Sequence, residues 1–305
     1  MQGAVRLSDW GVIRAQGPDA ASFLHGQLTQ DVQHLESGRA CLAGYCNAKG
    51  RLLASFVVWR AGPDELMLAC SADLLSAALK RLSMFVLRAK CKLSDASASV
   101  NLFGVAGPAT LHGFDFSVPT LPWHCTQAGA EVMLLLPDAA GRVRMLLARP
   151  ADAPPPALPA LPSQAWSWLE ASSGVTRIVA ATVEQFVPQM VNFELVGGVN
   201  FQKGCFPGQE VVARSQYRGT VKRRAFVFDS EAAAMPGQEV FHSDDREQPA
   251  GMVVNAGSWD GSHRAWIELK LAALATGSLS LGAGDGPQVR LAVPQPYAVL
   301  VDGDA

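Results

Sequence analysis

The stretch "KGCFPGQEVVARSQYRG", Lys203 to Gly219, decides the reading of this chain. It sets a cysteine between a glycine and an aromatic residue, follows it with Pro-Gly, and runs into arginines. Gly204 and Gly208 bracket Cys205, so a loop of little side-chain bulk is predicted, whose backbone can approach a ligand closely. "EVVARSQY" has the length of two helical turns, and Gly219 stands where a helix is commonly closed. Cys205 is therefore expected just ahead of a helix N-terminus, where partial positive charge and the neighbouring Lys203 favour thiolate over thiol. From Asn200 to Ala225 the cations are Lys203, Arg214, Arg218, Lys222, Arg223 and Arg224, and the one acid is Glu210. Such a patch suits a carboxylate tail, a phosphate or an acidic partner surface. The plain alternatives are a solvated face and a Glu210–Arg214 pair along the helix.

The chain contains its own control. "PGQEV" occurs at 207–211 and again at 236–240, the second time without a cysteine or a basic run and ahead of strand-like "FH". Pro-Gly-Gln-Glu alone therefore carries no function; Lys-Gly-Cys in front of it does.

Upstream, "DWGVIRAQGPDAASFLHGQLTQDV" predicts a strand, a Gly-Pro turn and a short helix capped by Asp19. "NLFGVAGPATLHGF", 101–114, is a weaker echo of that unit. "RLLASFVVWR" and "ELMLACS" are expected strands, and "ADLLSAALKRLSMFVL" an amphipathic helix. Two related α+β units with mixed or antiparallel sheets follow. "RPADAPPPALPALP", 149–162, has six prolines and is an extended connector rather than a domain boundary; "SQAWSWLEASSGV" after it is a helix. From 223 onward, "RAFVF", "EVFH", "GMVVNAG", "RAWIELK", "SLSL" and "QVRLAV" are short strands split by turn residues, the pattern of a small antiparallel barrel or sandwich. The fold class is α+β, with residues 1–222 as the α+β region and 223–305 as the barrel.

The totals bound function. The 305 residues are 49% hydrophobic and 17% charged, with net charge −2, so no global field recruits nucleic acid. Runs such as Val132–Leu136 are far too short to span a membrane. The opening residues show no apolar export signal, which predicts a cytoplasmic protein. Its six cysteines, at 41, 46, 70, 91, 125 and 205, are then reduced thiols, most of them small buried hydrophobes. Cys41 and Cys46 could supply half a metal site, but their apolar strand-like segment explains them without one.

"KGCFPGQEVVAR" closely resembles the signature of the YgfZ-type folate-binding proteins, bacterial relatives of a mitochondrial iron–sulfur assembly factor. Both are paralogues of the aminomethyltransferase T-protein of glycine cleavage. The resemblance extends through "CNAKGR", "QFVPQMVNFELVGGVNFQKGC", "ARSQYRGTVKRRA" and "AGMVVNA". It implies a ring of two α+β subdomains and a β-barrel around a central folate-sized opening. It implies binding of tetrahydrofolate or a folate derivative by Trp10 and Trp166, with Trp168 as neighbour to the latter, since a planar ring stacks well on indole. It further implies a folate-binding segment over Lys203, Gly204, Gly208, Gln209, Glu210 and Arg214, with Lys203 or nearby arginines meeting the glutamate carboxylates. Cys205 is implied as the functional thiol, redox-sensitive or a ligand of an iron–sulfur cluster shared with a partner, because one thiolate cannot hold a cluster alone. The implied partners are iron–sulfur scaffold or carrier proteins and client enzymes, including those that modify tRNA. Direct tRNA binding is set aside for want of an aromatic-studded basic surface.

Two departures matter. Phe206 stands where the signature usually has Tyr. In the T-protein a stretch like "KGRLLAS", 49–55, carries acids for one-carbon transfer; here those places hold Ala54 and Ser55. Transfer needs positioned acid–base chemistry, which favours an accessory factor over a tetrahydrofolate-dependent one-carbon transferase. The transferase reading would require Asp31, Glu194 or Glu210 to replace the missing acid.

Overall fold

The computed structural model describes residues 1–107, 114, 116–217 and 221–299. Alternating and near-continuous apolar runs form the strands. In the first sheet these are β2 (Trp10–Gln16), β3 (Ala40–Cys46), β4 (Leu52–Gly62), β5 (Glu65–Ser71) and β6 (Lys92–Asp95), ordered β3-β4-β5-β2-β6 and antiparallel throughout. Strand β3 is buried along its whole length because both faces of the sheet are covered. On one side lie α1 (Ala20–His25) and α2 (Ala72–Ser83), whose Leu24, Leu75, Ala78 and Leu82 share a core with Ile13, Phe56 and Leu68. Asp19 precedes α1 but does not cap it; its Oδ2 accepts the Lys90 N–H at 2.7 Å instead. Helix α2 stops at Ser83, four residues short of the apolar run that predicted it.

The second sheet takes the chain's first strand, β1 (Gly3–Arg6), and joins it to β7 (Val100–Ala106), β10 (Arg142–Pro150), β9 (Glu131–Ala139) and β8 (Cys125–Ala128) in that order. The helix expected in the echo at 101–114 falls mostly outside the described residues. The proline-rich connector leaves β10 and returns along β1, where Ala4 N–H bonds the Pro159 carbonyl at 2.9 Å. It delivers α3 (Ser163–Ser172), which lies on Gly104 through the ring of Trp166 and on the barrel through Gly257. A Cβ on Gly104 would stand 2.5 Å from the Trp166 ring, so only glycine allows this approach.

After α4 (Gln209–Tyr217), the strands β11 (Arg223–Ser230), β12 (Glu239–His242), β13 (Asp245–Trp259), β14 (Ser262–Lys270), β15 (Leu279–Leu281) and β16 (Gln288–Leu291) close into a barrel in the order β11-β14-β13-β12-β15-β16. Closure removes the exposed edges that short strands would otherwise present. Its interior is filled by Phe226, Phe228, Val240, Val253, Ile267 and Leu281. The chain after α3 pins barrel to sheets: Ile178 N–H bonds Ser55 Oγ on β4 at 2.9 Å, and Arg177 exchanges two hydrogen bonds with the Asn255 side chain on β13. Among the described residues no helix is long and apolar enough to cross a membrane.

Candidate functional site

The two sheets and α3 converge on a small recess of about 30 Å³, room for about one water. Its polar and aromatic lining is Trp10, Ser55, Trp123, Arg144, Glu170 and Arg177. Trp10 opens β2, Ser55 lies on β4, Trp123 precedes β8, Arg144 lies on β10, Glu170 on α3, and Arg177 follows α3. Five separate segments of chain thus contribute charge or aromatic surface.

Two of these charges neutralise each other. Arg177 Nε lies 3.2 Å from Glu170 Oε1, its Nη2 lies 2.7 Å from Asp9 Oδ2, and its guanidinium sits 5.1 Å over the Trp10 ring. Burial pushes the Glu170 carboxyl up from its ordinary value, and Arg177 opposes that shift. Arg144 is different. It is 3% exposed, its Nε donates to the Pro137 carbonyl at 3.1 Å, and among the described residues no carboxylate lies within 4 Å of it. Burial pushes its pKa down to about 10, and the more distant carboxylates of Glu170 and Asp138 partly offset that shift. The Trp10 indole N–H is likewise buried without a partner. The recess thus brings together indole faces, a guanidinium with no carboxylate in direct contact and an orphan N–H, groups that can meet carbonyl or carboxylate oxygens.

Of the two tryptophans singled out from the sequence, Trp10 lines this recess. Trp166 is 2% exposed and is not part of the lining; it packs on Gly104, 5.6 Å beneath the Arg144 guanidinium. It can support the recess through Arg144. Its neighbour Trp168 faces the barrel, donating to Ser262 Oγ at 3.2 Å. Arg144, Glu170, Arg177, Trp123 and Ser55 escaped the sequence reading, although two had signals. Arg144 interrupts the face it shares with Leu146 and Ala148 on a strand. Glu170 follows Trp166 by four residues and so shares its buried helical face.

The signature lies elsewhere, on a rim against α1 and β4. Lys203 is 9% exposed, and its ammonium donates to the carbonyls of His25 and, at 2.7 Å, of Leu28. It also sits 5.1 Å over the Phe206 ring. Burial pushes its pKa down to about 8. In place of the expected contact with a ligand's carboxylates, two hydrogen bonds of the Lys203 ammonium go inward to carbonyls at and just past the end of α1, which need donors. Gly204 faces His25, whose Nδ1–H donates to Asp31 at 2.9 Å. Gly208 has φ +80° and packs on Asn47 and Gly50. Gln209 and Glu210 open α4; Glu210 and Arg214 are exposed and, among the described residues, form no ion pair, so the expected helical pair is absent. None of Lys203, Gly204, Gly208, Gln209, Glu210 or Arg214 lines the recess of Trp10. What the sequence presented as one site is two.

The positive patch also dissolves. Arg223 pairs with buried Glu268, Nη2 to Oε2 at 2.8 Å, and Arg224 pairs with buried Glu194. With Lys203 turned inward and Arg218 outside the described residues, only Arg214 and Lys222 remain exposed.

Cys205 is the exposed thiol among the described cysteines; Cys41, Cys46, Cys70 and Cys125 are buried and Cys91 is half-buried. Burial pushes Cys41, Cys46 and Cys70 up to about 12, which keeps them protonated and inert. Cys41 and Cys46 belong to different cores and make no common metal site. Among the described residues no three His, Cys, Asp or Glu side chains gather as a metal site.

The family described as GCVT N-terminal domain matches residues 3–113. The tRNA-modifying protein YgfZ of Edwardsiella ictaluri is 35% identical over 244 residues, 76% of this chain and 72% of that protein. The protein of the same name from Photorhabdus laumondii is 30% identical over 275 residues, 87% and 83% of the two chains. In fold, the chain is similar to the glycine cleavage system aminomethyltransferase T of Bartonella henselae. The TM-score is 0.66 at 16% identity, over 96% of this chain and 86% of that one.

Proposed function

The chain belongs to the YgfZ family, and from that premise we propose that it is a folate-binding accessory factor. It supports the assembly or repair of iron–sulfur enzymes, those that modify tRNA among them. The observation that carries the folate part is that one recess is lined by buried Arg144, with no carboxylate in direct contact, and by Trp10, whose indole N–H has no partner. Tetrahydrofolate offers what these groups lack. Its pterin is planar and stacks on indole. Its lactam and tail oxygens accept from a guanidinium. The Glu170 carboxylate can accept from the pterin's amino edge while Arg177 holds it in place. The donors and acceptors match the ligand's chemistry, and the recess, about 30 Å³ in this structure, has to open to admit a pterin.

Cys205 serves the second part. A lone exposed cysteine cannot complete a cluster, so the cluster is cargo shared with a scaffold or client protein that supplies the remaining ligands. The same exposure suits oxidation sensing. A one-carbon transferase, the other reading, needs an acid free to move a proton at the folate. Glu170, the acid that lines the recess, is held by Arg177, and Asp31, Glu194 and Glu210 lie away from it.

Equilibrium titration with tetrahydrofolate tests the binding. Saturable binding is expected for the wild type, with at least a ~10-fold loss for Arg144→Met from a missing charged hydrogen bond. Absence of saturable binding by the wild type would sink the folate reading. Replacing Cys205 by Ala should lower the activity of iron–sulfur enzymes in cells; unchanged activities would reduce the thiol to structure.

A further inference from the structure

Between Leu74 and Ser94 the chain carries Lys80, Arg81, Arg88, Lys90 and Lys92 and no acid. All five cations are exposed, and among the described residues none makes an ion pair. The acids that flank the segment are otherwise engaged. Asp19 accepts the Lys90 N–H, Asp73 the Ala180 N–H at 2.9 Å, and Asp95 the Ser97 N–H at 2.8 Å. Lys80 and Arg81 answer the carbonyl end of α2; Arg88, Lys90 and Lys92 lie beyond the reach of that explanation. Among these cations stand Met84, Phe85 and Leu87, respectively 67%, 45% and 85% exposed.

The segment is held in shape. Phe85 and Val86 N–H groups bond back to the end of α2, and Asp19 N–H bonds the Lys90 carbonyl at 3.3 Å. Gly17, at φ +133°, lets the chain pass against that carbonyl. The segment thus grips the start of α1, while Lys203 grips its end. At 1.5 Å per residue, six residues separate the two by only about 9 Å along the helix axis.

We propose that residues 80–92 form a docking surface for RNA, an inference that rests on the reading of this chain as a factor in tRNA modification. Unpaired cations meet the phosphates, and Phe85 with its apolar neighbours receives unstacked bases. This surface lies outside the run at 200–225 that the sequence reading weighed. RNA seated there lies near the rim that presents Cys205.

Fluorescence anisotropy with an unmodified tRNA transcript tests this on the full chain. Raising salt from about 50 to about 200 mM should weaken wild-type binding ~100-fold if about four phosphates are contacted. The triple variant Lys80→Gln, Arg88→Gln, Lys90→Gln should bind at least ~10-fold more weakly, with a salt slope smaller by roughly 2–3. Phe85→Ala should weaken binding ~5–10-fold at an unchanged slope, as a stacking contact does. Arg214→Gln with Lys222→Gln, exposed cations elsewhere, should change nothing. Unaltered thermal melts and tetrahydrofolate titration of the triple variant would separate this surface from the recess. No tRNA binding by the wild type, or equal binding by the triple variant, overturns the proposal. So does binding to phosphatidylglycerol vesicles, lost in the triple variant, without binding to tRNA.

Discussion

The two copies of Pro-Gly-Gln-Glu-Val begin alike and end differently. In each, proline and a left-handed glycine make the same turn. Gly208 has φ +80° and Gly237 has φ +84°, and Gln209 and Gln238 N–H groups each bond the carbonyl three residues back at 3.1 Å. This is a type II turn, and the pentapeptide carries it wherever it goes. Beyond the turn the surroundings take over. Gly237 N–H and Gln238 carbonyl both bond Val253 on β13, which draws the second copy into the barrel and buries Val240 completely. Among the described residues no strand pairs with the first copy. Val212 N–H bonds the Gly208 carbonyl at 3.2 Å, a helix follows, and Val211 is left 38% exposed. One five-residue sequence thus sets a turn but not its continuation.

Breaking the turns should give the largest effect. At Gly208 an added Cβ would meet Asn47 and stand 2.6 Å from Gly50 Cα, backbone that cannot yield. Gly208→Ala should cost about 4 kcal/mol from left-handed strain plus overpacking, seen as a fall of roughly 6 °C in thermal melting. A melt unchanged within a degree would refute the close approach.

Lys203→Met comes next. Leaving two inward carbonyls without their charged donor should cost about 3 kcal/mol, while tetrahydrofolate affinity stays the same, because Lys203 is not at the recess. The pH dependence has a definite sign. Burial lowers Lys203 from 10.5 to about 8, so between those values the unfolded chain holds a proton that the folded chain has lost. Stability relative to Lys203→Met should therefore rise with pH across that window; chemical denaturation from pH 7.5 to pH 10, about the interval given by this shift, measures it. A falling difference would contradict the buried position.

Gly237→Ala should be milder, about 2 kcal/mol, since its Cβ would stand 3.0 Å from the Ala181 carbonyl oxygen and 3.1 Å from the Ala181 Cβ. Equal losses at the two glycines would erase the distinction between the copies. Smallest of all, Cys205→Ser should shift stability by less than about 0.5 kcal/mol, as exposed positions do, while removing the function assigned to the thiol. A large loss of stability would place Cys205 in the packing rather than on the rim.

Much of the fold was legible. The pattern of "RAWIELK" predicted β14, six prolines predicted the irregular connector, and "SQAWSWLEASSGV" predicted the helix that became α3. The site was less so. The run from Lys203 to Arg224 reads as a patch only while Glu194 and Glu268 are out of view; the second of these lies 45 residues from Arg223. The recess draws on five segments that no local pattern joins, and Arg144, buried with no carboxylate in direct contact, looks in sequence like any strand arginine.

The sequence by itself determined the turns, the strand and helix segments, and the placing of Cys205 in a loop of small residues. These depend on dihedral preferences and side-chain periods that act within a few residues. Only the tertiary structure decided which copy of the pentapeptide became helix, which cations were neutralised and which stayed free, and that Trp10 and Cys205 occupy separate places. Those outcomes depend on which distant groups share a low-dielectric interior, and burial, pairing and desolvation act through space rather than along the chain.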